Sequence, residues 1–306
     1  MLGPILETLI GGLLTGVLYA LVALGFVLIF KASGVFNFAQ GAMVLFAALS
    51  VARLSEKFPL PIAIVLAIGV MIVLAYAIEF LVLRRLVNQE GIVLFMSTLG
   101  VAYFLEGFGQ TLWGSDIYKI DLGISKNPIF LFESVFPGGI LIDPEEVAAA
   151  VICAILVTVL AVFFQVTRVG RALRAVADDH QAAQSVGIPL NYIWLVVWAT
   201  SGIVAIAAGM IWGSKLGVQF SISLVALKAL PVLILGGLTS IPGAIVGGLI
   251  IGAGEKLAEI LLGPLLIRWF DLAGGGIENW FAYVLALLFL LVRPQGLFGE
   301  RIIERI

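Results

Sequence analysis

The chain has 306 residues, 62% of them hydrophobic and 12% charged, with a formal net charge of −2. Soluble domains carry roughly 25% charged residues, and no soluble fold of this length hides so much apolar surface, so the bilayer is the solvent. The near-neutral balance offers no basic footprint for nucleic acid, and long unalternating apolar runs select helices over barrel strands. The expectation is an all-α polytopic integral membrane protein forming a single transmembrane domain over residues 1–306.

Roughly 20 apolar residues cross a bilayer. On that ruler, spans are predicted near 5–30, 60–83, 92–113, 146–167, 192–213 and 278–292, with shorter candidates at 38–52, 224–238 and 243–262. The total is eight or nine membrane segments. The first apolar stretch lacks a basic leader and reads as a retained span rather than a cleaved signal. Cys153, the only cysteine, lies in an apolar run and reads as packing. Arg84 and Arg85, then Arg168, Arg171 and Arg174, then Arg293, Arg301 and Arg305 flank span ends and predict the cytoplasmic side. The acidic loop 114–145 fits the external side, which places the N-terminus outside if the count is nine.

Leu21-Val-Ala-Leu24 recurs as Leu224-Val-Ala-Leu227, and Gly41-Ala-Met-Val44 is answered by Gly243-Ala-Ile-Val246. These matches outline an internal repeat, 15–52 and 218–254, parallel or inverted. Each copy reads as helix, polar break, helix. Such breaks expose backbone groups that lipid cannot satisfy, so they meet a water-filled cavity or protein, or form tight hairpins at the surface. The pairs Gly12/Gly16, Gly243/Gly247 and Gly248/Gly252 put small residues on helix faces, which predicts close helix packing.

Between two long apolar spans lies a polar, amphipathic segment over residues 168–190. Asp178 or Asp179 is placed to cap a short helix over 180–186, Gly187 to end it in a left-handed conformation, and Pro189 to prevent its continuation. Residues 170–177 are expected to form a preceding turn or helix. His180 reads as a surface residue rather than a metal ligand.

Gln181-Ala182-Ala183-x-x-x-Gly187 resembles the Glu-Ala-Ala-x-x-x-Gly coupling motif of ATP-binding-cassette importer permeases. Gly170-Arg-Ala-Leu-Arg-Ala-Val-Ala177 is similar to the branched-chain (hydrophobic) amino acid permease subfamily. So are Asn37-Phe-Ala-Gln-Gly41, Ala226-Leu-Lys-Ala229, Leu235-Gly-Gly-Leu-Thr-Ser-Ile-Pro-Gly-Ala244 and Arg293-Pro-Gln-Gly-Leu-Phe-Gly299. The ordered blocks cover nearly the whole chain; Gln181 departs from the motif's Glu and removes a charge. The resemblance implies a permease subunit that pairs with a second permease, related or identical. It implies two ATPase subunits that bind ATP and Mg and grip Asp179, Gln181, Ala182, Ala183 and Gly187, and a periplasmic binding protein that delivers substrate. It places the chain in a bacterial inner membrane. On that reading Ala183→Arg obstructs docking of the motor. No Gly-x-x-x-x-Gly-Lys-Ser/Thr phosphate loop occurs in the sequence, so no cofactor and no ATP hydrolysis are expected of this chain itself.

Ionisable groups at bilayer depth default to functional hypotheses. Lys228 snorkels outward, meets a substrate carboxylate, or pairs with an acid, for which Glu106 is a candidate. Glu106 is expected to face protein or water, with Gln110 one turn onward. Asn37, Gln40 and Thr98, with Ser97, either line a polar pathway together with Glu106 and Lys228 or serve as caps and interhelical hydrogen-bonding groups. Glu255, Lys256 and Glu259 read as a solvated or paired set at a helix end. No catalytic constellation is present. Aliphatic amino acids, urea and short amides all fit as cargo, and an autonomous facilitator or a scaffold subunit is the alternative role.

Overall fold

The computed structural model describes residues 2–86, 89–131, 139–178, 180–270 and 276–299. Its helices are α1 (Leu2–Ser33), α2 (Gln40–Ser55), α3 (Leu60–Leu81), α4 (Gly91–Trp113), α5 (Pro144–Val166), α6 (Arg168–Asp178), α7 (His180–Ser185), α8 (Leu190–Leu216), α9 (Val225–Gly236), α10 (Ile241–Phe270) and α11 (Ile277–Val292). A short antiparallel hairpin pairs β1 (Ile129–Leu131) with β2 (Ile140–Ile142), within the predicted loop 114–145. Helix ends follow local chemistry. Pro59 stands at the N-terminal cap of α3, the Asp143 carboxylate accepts from Glu145 N (2.9 Å) at the start of α5, and Gly114 and Gly217 take positive φ just past α4 and α8.

Among the described residues, five helices are long and apolar enough to cross a bilayer: α1, α3, α4, α5 and α8. The limb ending in α9 and the helix α10 pass together as a sixth, bent by 112° at their break. α2 and α11 are apolar but 16 residues each, so length and composition confirm the multi-pass character and leave the eight or nine segments read from the sequence unconfirmed. A second difference concerns 243–262. The helix there runs for 30 residues, because Pro264 is carried inside it, and Glu255, Lys256 and Glu259 therefore lie within α10 rather than at its end.

The chain divides into two compact units, one of Met1–Ala23, Gly123–Cys153 and Leu227–Ile306, the other of Leu24–Leu122 and Ala154–Ala226. In the second, α2 is the central rod: every residue from Gln40 to Ala52 is buried, and α3, α4 and α8 pack around it. A helix apolar on all sides belongs in such a place. Gly209 of α8 makes the approach: a Cβ there would sit 2.7 Å from Val44 O. In the first unit, α1 and α10 meet glycine against glycine. Gly12 abuts Gly252 and Ala253, and Gly16 abuts Gly248, while Gly243 and Gly247 face the α9 limb. The paired glycine spacings of α10 thus serve two different neighbours, as packing-driven association in lipid requires. Val65, Val73, Tyr103, Val151 and Val159 on α3, α4 and α5 stand exposed, apolar surface suited to lipid.

Candidate functional site

The segment with the coupling resemblance folds as two short helices. α6 is strongly amphipathic, with Leu173 and Val176 buried and Arg171 and Arg174 turned outward. Both arginines tie it to the end of α5: Arg174 Nη1 donates to Phe164 O (2.6 Å) and Arg171 Nη1 to Val166 O (3.2 Å). These carbonyls are the orphans of a helix C-terminus, where cations are favoured. Gly170 lets the corner close, since a Cβ there would collide with the Phe164 backbone.

α7 ends in a Schellman turn. Ile188 N donates to Ala183 O (3.0 Å), Gly187 N donates to Gln184 O (3.0 Å), and Gly187 has φ +86°. This is the left-handed ending expected for Gly187. Ala182, Ser185 and Val186 are exposed, with Val186 77% accessible, whereas Ala183 is 2% accessible and turned inward. Bulk at Ala183 therefore acts on packing beneath the helix, and the outer face belongs to Ala182, Ser185 and Val186. Asp179 and the side chain of Gln181 lie outside the described residues.

In the second unit, the break after α1 gathers polar side chains that are fully buried. Asn37 and Gln40 are 0% exposed and Thr98 2%. Asn37 Oδ1 accepts from Ala39 N (3.0 Å), and Phe38 N donates to Thr98 Oγ1 (3.2 Å), so both side chains satisfy main-chain donors of the break. Ser201 Oγ lies 2.8 Å from Gln40 Oε1 and 3.2 Å from Gly25 O. A hydroxyl has one proton, so one of these contacts needs a donor from the other side. With the Gln40 amide nitrogen turned to Ser201, the amide donates to the hydroxyl and the hydroxyl to Gly25 O. Glu106 is half-buried and Gln110 exposed, beside the packed face of α4 formed by Leu94, Thr98, Val101, Leu105 and Gly109.

In the first unit, Lys228 of α9 finds an acid, but it is Glu255 rather than Glu106. Glu255 points from α10 with 1% of its side chain exposed, and Lys228 Nζ lies 3.9 Å from its Oε1. Tyr19 Oη donates to Glu255 Oε2 (3.0 Å), and the Lys228 ammonium lies 5.9 Å from the Tyr19 ring centroid. A buried carboxyl group is costly without such partners. Tyr283 of α11 donates to Leu227 O (2.7 Å), fixing the start of the same limb. A cleft of about 430 Å³ opens in this unit among Glu7, Gly12, Thr15, Asp143, Glu146, Lys256 and Glu259. Lys256 there is held by Glu278 (3.4 Å) and Glu259 (3.6 Å).

The family model described as "Branched-chain amino acid transport system / permease component" matches residues 8–293. The chain belongs to that permease family. The permease is 27% identical to the "High-affinity branched-chain amino acid transport system permease protein BraD" of Pseudomonas aeruginosa, over 98% of each chain. It is 29% identical to the "Probable branched-chain amino acid transport permease protein LivH" of Methanocaldococcus jannaschii, over 94% of this chain and 91% of that one. The "Ribose import permease protein RbsC" of Haemophilus influenzae is 27% identical, over 76% of this chain and 71% of its own. The permease is accordingly a multi-pass membrane subunit of an ATP-binding-cassette importer, a class of proteins that work as membrane-embedded complexes.

Two contributors to the permease's polar centres were not picked out by sequence reasoning. Tyr19 sits in an unbroken apolar run and Ser201 among small residues of α8, where a hydroxyl carries no periodic signal. Glu255 was visible as a charge, but its partner was not. The signal that finds it is the first acid on the helix that follows the break after Lys228.

Proposed function

We propose that this permease carries branched-chain or similar hydrophobic amino acids inward across the bacterial inner membrane, driven by two ATPase subunits that grip the α6–α7 segment. The observation that carries the reading is the built surface of that segment. α6 is braced by Arg171 and Arg174 on α5 carbonyls, α7 is closed by a Schellman turn, and Ala182, Ser185 and Val186 stand exposed on it and just past its end. A periplasmic binding protein delivers the amino acid, and ATP and Mg stay with the ATPases. Glu106 and Gln110 look away from the chain's own packed face, which suits contact with a second permease subunit or a polar pathway beside it.

The arginines at 84, 85, 168, 171, 174 and 293 fit one side under the positive-inside rule. With the N-terminus outside, nine crossings satisfy them, α9 being the short limb. The test is reconstitution. Permease, partner permease and ATPases in liposomes, with binding protein outside and ATP inside, should accumulate leucine, and omission of either ATP or binding protein should abolish it. Val186→Asp should keep the permease inserted and break its co-purification with the ATPases. Leucine movement by the lone chain down a gradient would overturn the importer reading.

A further inference from the structure

Lys228 and Lys256 of the first unit are placed very differently. Lys256 is bonded to Glu278 and lies within 3.6 Å of Glu259, so its charge is spent. Lys228 stands 3.9 Å from Glu255, beyond hydrogen-bond reach, and among the described residues its ammonium donates no hydrogen bond. Its remaining support is the face of Tyr19. A quarter of its side chain is exposed (26%), whereas its partner Glu255 is sealed at 1%. Its one carboxylate neighbour sits at ion-pair distance only, so the three donors of this quarter-exposed ammonium remain open to a hydrogen-bonding oxyanion.

A cleft runs along the two helices that carry Tyr19 and Glu255. It is lined by Gly12 and Thr15 of α1 and by Lys256 and Glu259 of α10. Tyr19 lies one turn beyond Thr15 and Glu255 directly precedes Lys256 in sequence, but neither they nor Lys228 line the cleft. The cleft wall carries Glu7, Asp143, Glu146 and Glu259. Its volume, about 430 Å³, is in the range of small-molecule sites. An α-amino acid is a zwitterion, and its anionic carboxylate is the group that the under-bonded Lys228 ammonium complements.

We propose that Lys228 binds the carboxylate of a zwitterionic amino acid, and that Glu255, steadied by Tyr19, is the internal rival that holds the ammonium until substrate displaces it. The proposal rests on the amino-acid import reading and adds to it the charge that selects the substrate. Lys228→Arg keeps a cation and retains uptake.

The experiment is leucine uptake into liposomes by the assembled complex, with Lys228→Met, Lys228→Arg and the double variant Lys228→Met/Glu255→Gln. Removing Lys228 alone leaves a buried unpaired carboxylate, so Lys228→Met is scored together with the double variant, which removes both charges and restores the bundle. Uptake by the double variant is expected to stay about tenfold or more below wild type, the loss of one charge-assisted hydrogen bond, while Lys228→Arg stays within a few-fold. Wild-type uptake in the double variant makes the pair a structural strut and overturns the proposal. An anionic lipid retained by the wild type but not by Lys228→Met in native mass spectrometry, with leucine uptake equal in the two, assigns the ammonium to a phosphate headgroup and also overturns it. If the wild-type complex moves no leucine, the import reading fails and this proposal with it; if it does and the variants match it, this proposal alone fails.

Discussion

The break between α1 and α2 and the break between α9 and α10 begin alike and finish differently. Each starts with a glycine of positive φ, Gly34 (+67°) and Gly237 (+103°), whose N–H bonds the carbonyl four residues back at 2.8 Å. Beyond that point the first break is held by side chains. Asn37 caps Ala39 N, and Thr98, from α4, takes Phe38 N. The second is held mainly by main chain. Leu297 N and Phe298 N donate to Leu235 O (2.8 Å) and Gly236 O (3.1 Å), Gly236 and Gly243 touch backbone to backbone, and Ser240 adds a side-chain cap, to Gly243 N (3.0 Å). The lesson is physical. Buried non-helical backbone must be satisfied by protein, and whether buried side chains or a returning chain end does so decides which substitutions are tolerated.

That contrast can be broken at four places. The largest effect is expected at Gly236→Val, where no flexible side chain can move aside from the Gly243 backbone. Loss of about 3 kcal/mol or more is expected from overpacking, read as a fall in the unfolding midpoint in detergent. Asn37→Leu should cost about 2 kcal/mol by stranding Ala39 N in a buried site, with faster amide exchange at Phe38 and Ala39 and none at Leu297. Gly296→Ala places a side chain at φ +79° against Gly237. It should cost about 1–2 kcal/mol and speed exchange at Leu297 and Phe298 alone. The smallest is Ser240→Ala, about 1 kcal/mol for one lost cap, with the second break otherwise intact. If Asn37→Leu loosened both breaks equally, the division between side-chain and main-chain support would be wrong.

Much of this was legible in the residues. The long spans follow from unbroken apolar runs, and the ending of α7 follows from Gly187 and Pro189, because both are local chemistry. The terminal Arg293-Pro-Gln-Gly-Leu-Phe-Gly299 block was legible as a motif, but not its work of closing a break more than fifty residues earlier in the chain. Ala182 and Ala183 are chemically identical in sequence, and only helix rotation turned one outward and the other inward. Asn37, Gln40 and Thr98 were visible as polar residues in lipid, yet whether they faced water or backbone depended on what packed against them.

The sequence by itself determined the solvent, the helices and most of their ends, because hydrophobic length, glycine and proline act over a few residues. The tertiary structure alone decided which polar groups meet. Lys228, Glu255 and Tyr19 lie on three helices up to 236 positions apart, and pairing a buried charge is a property of packed neighbours that no local pattern records.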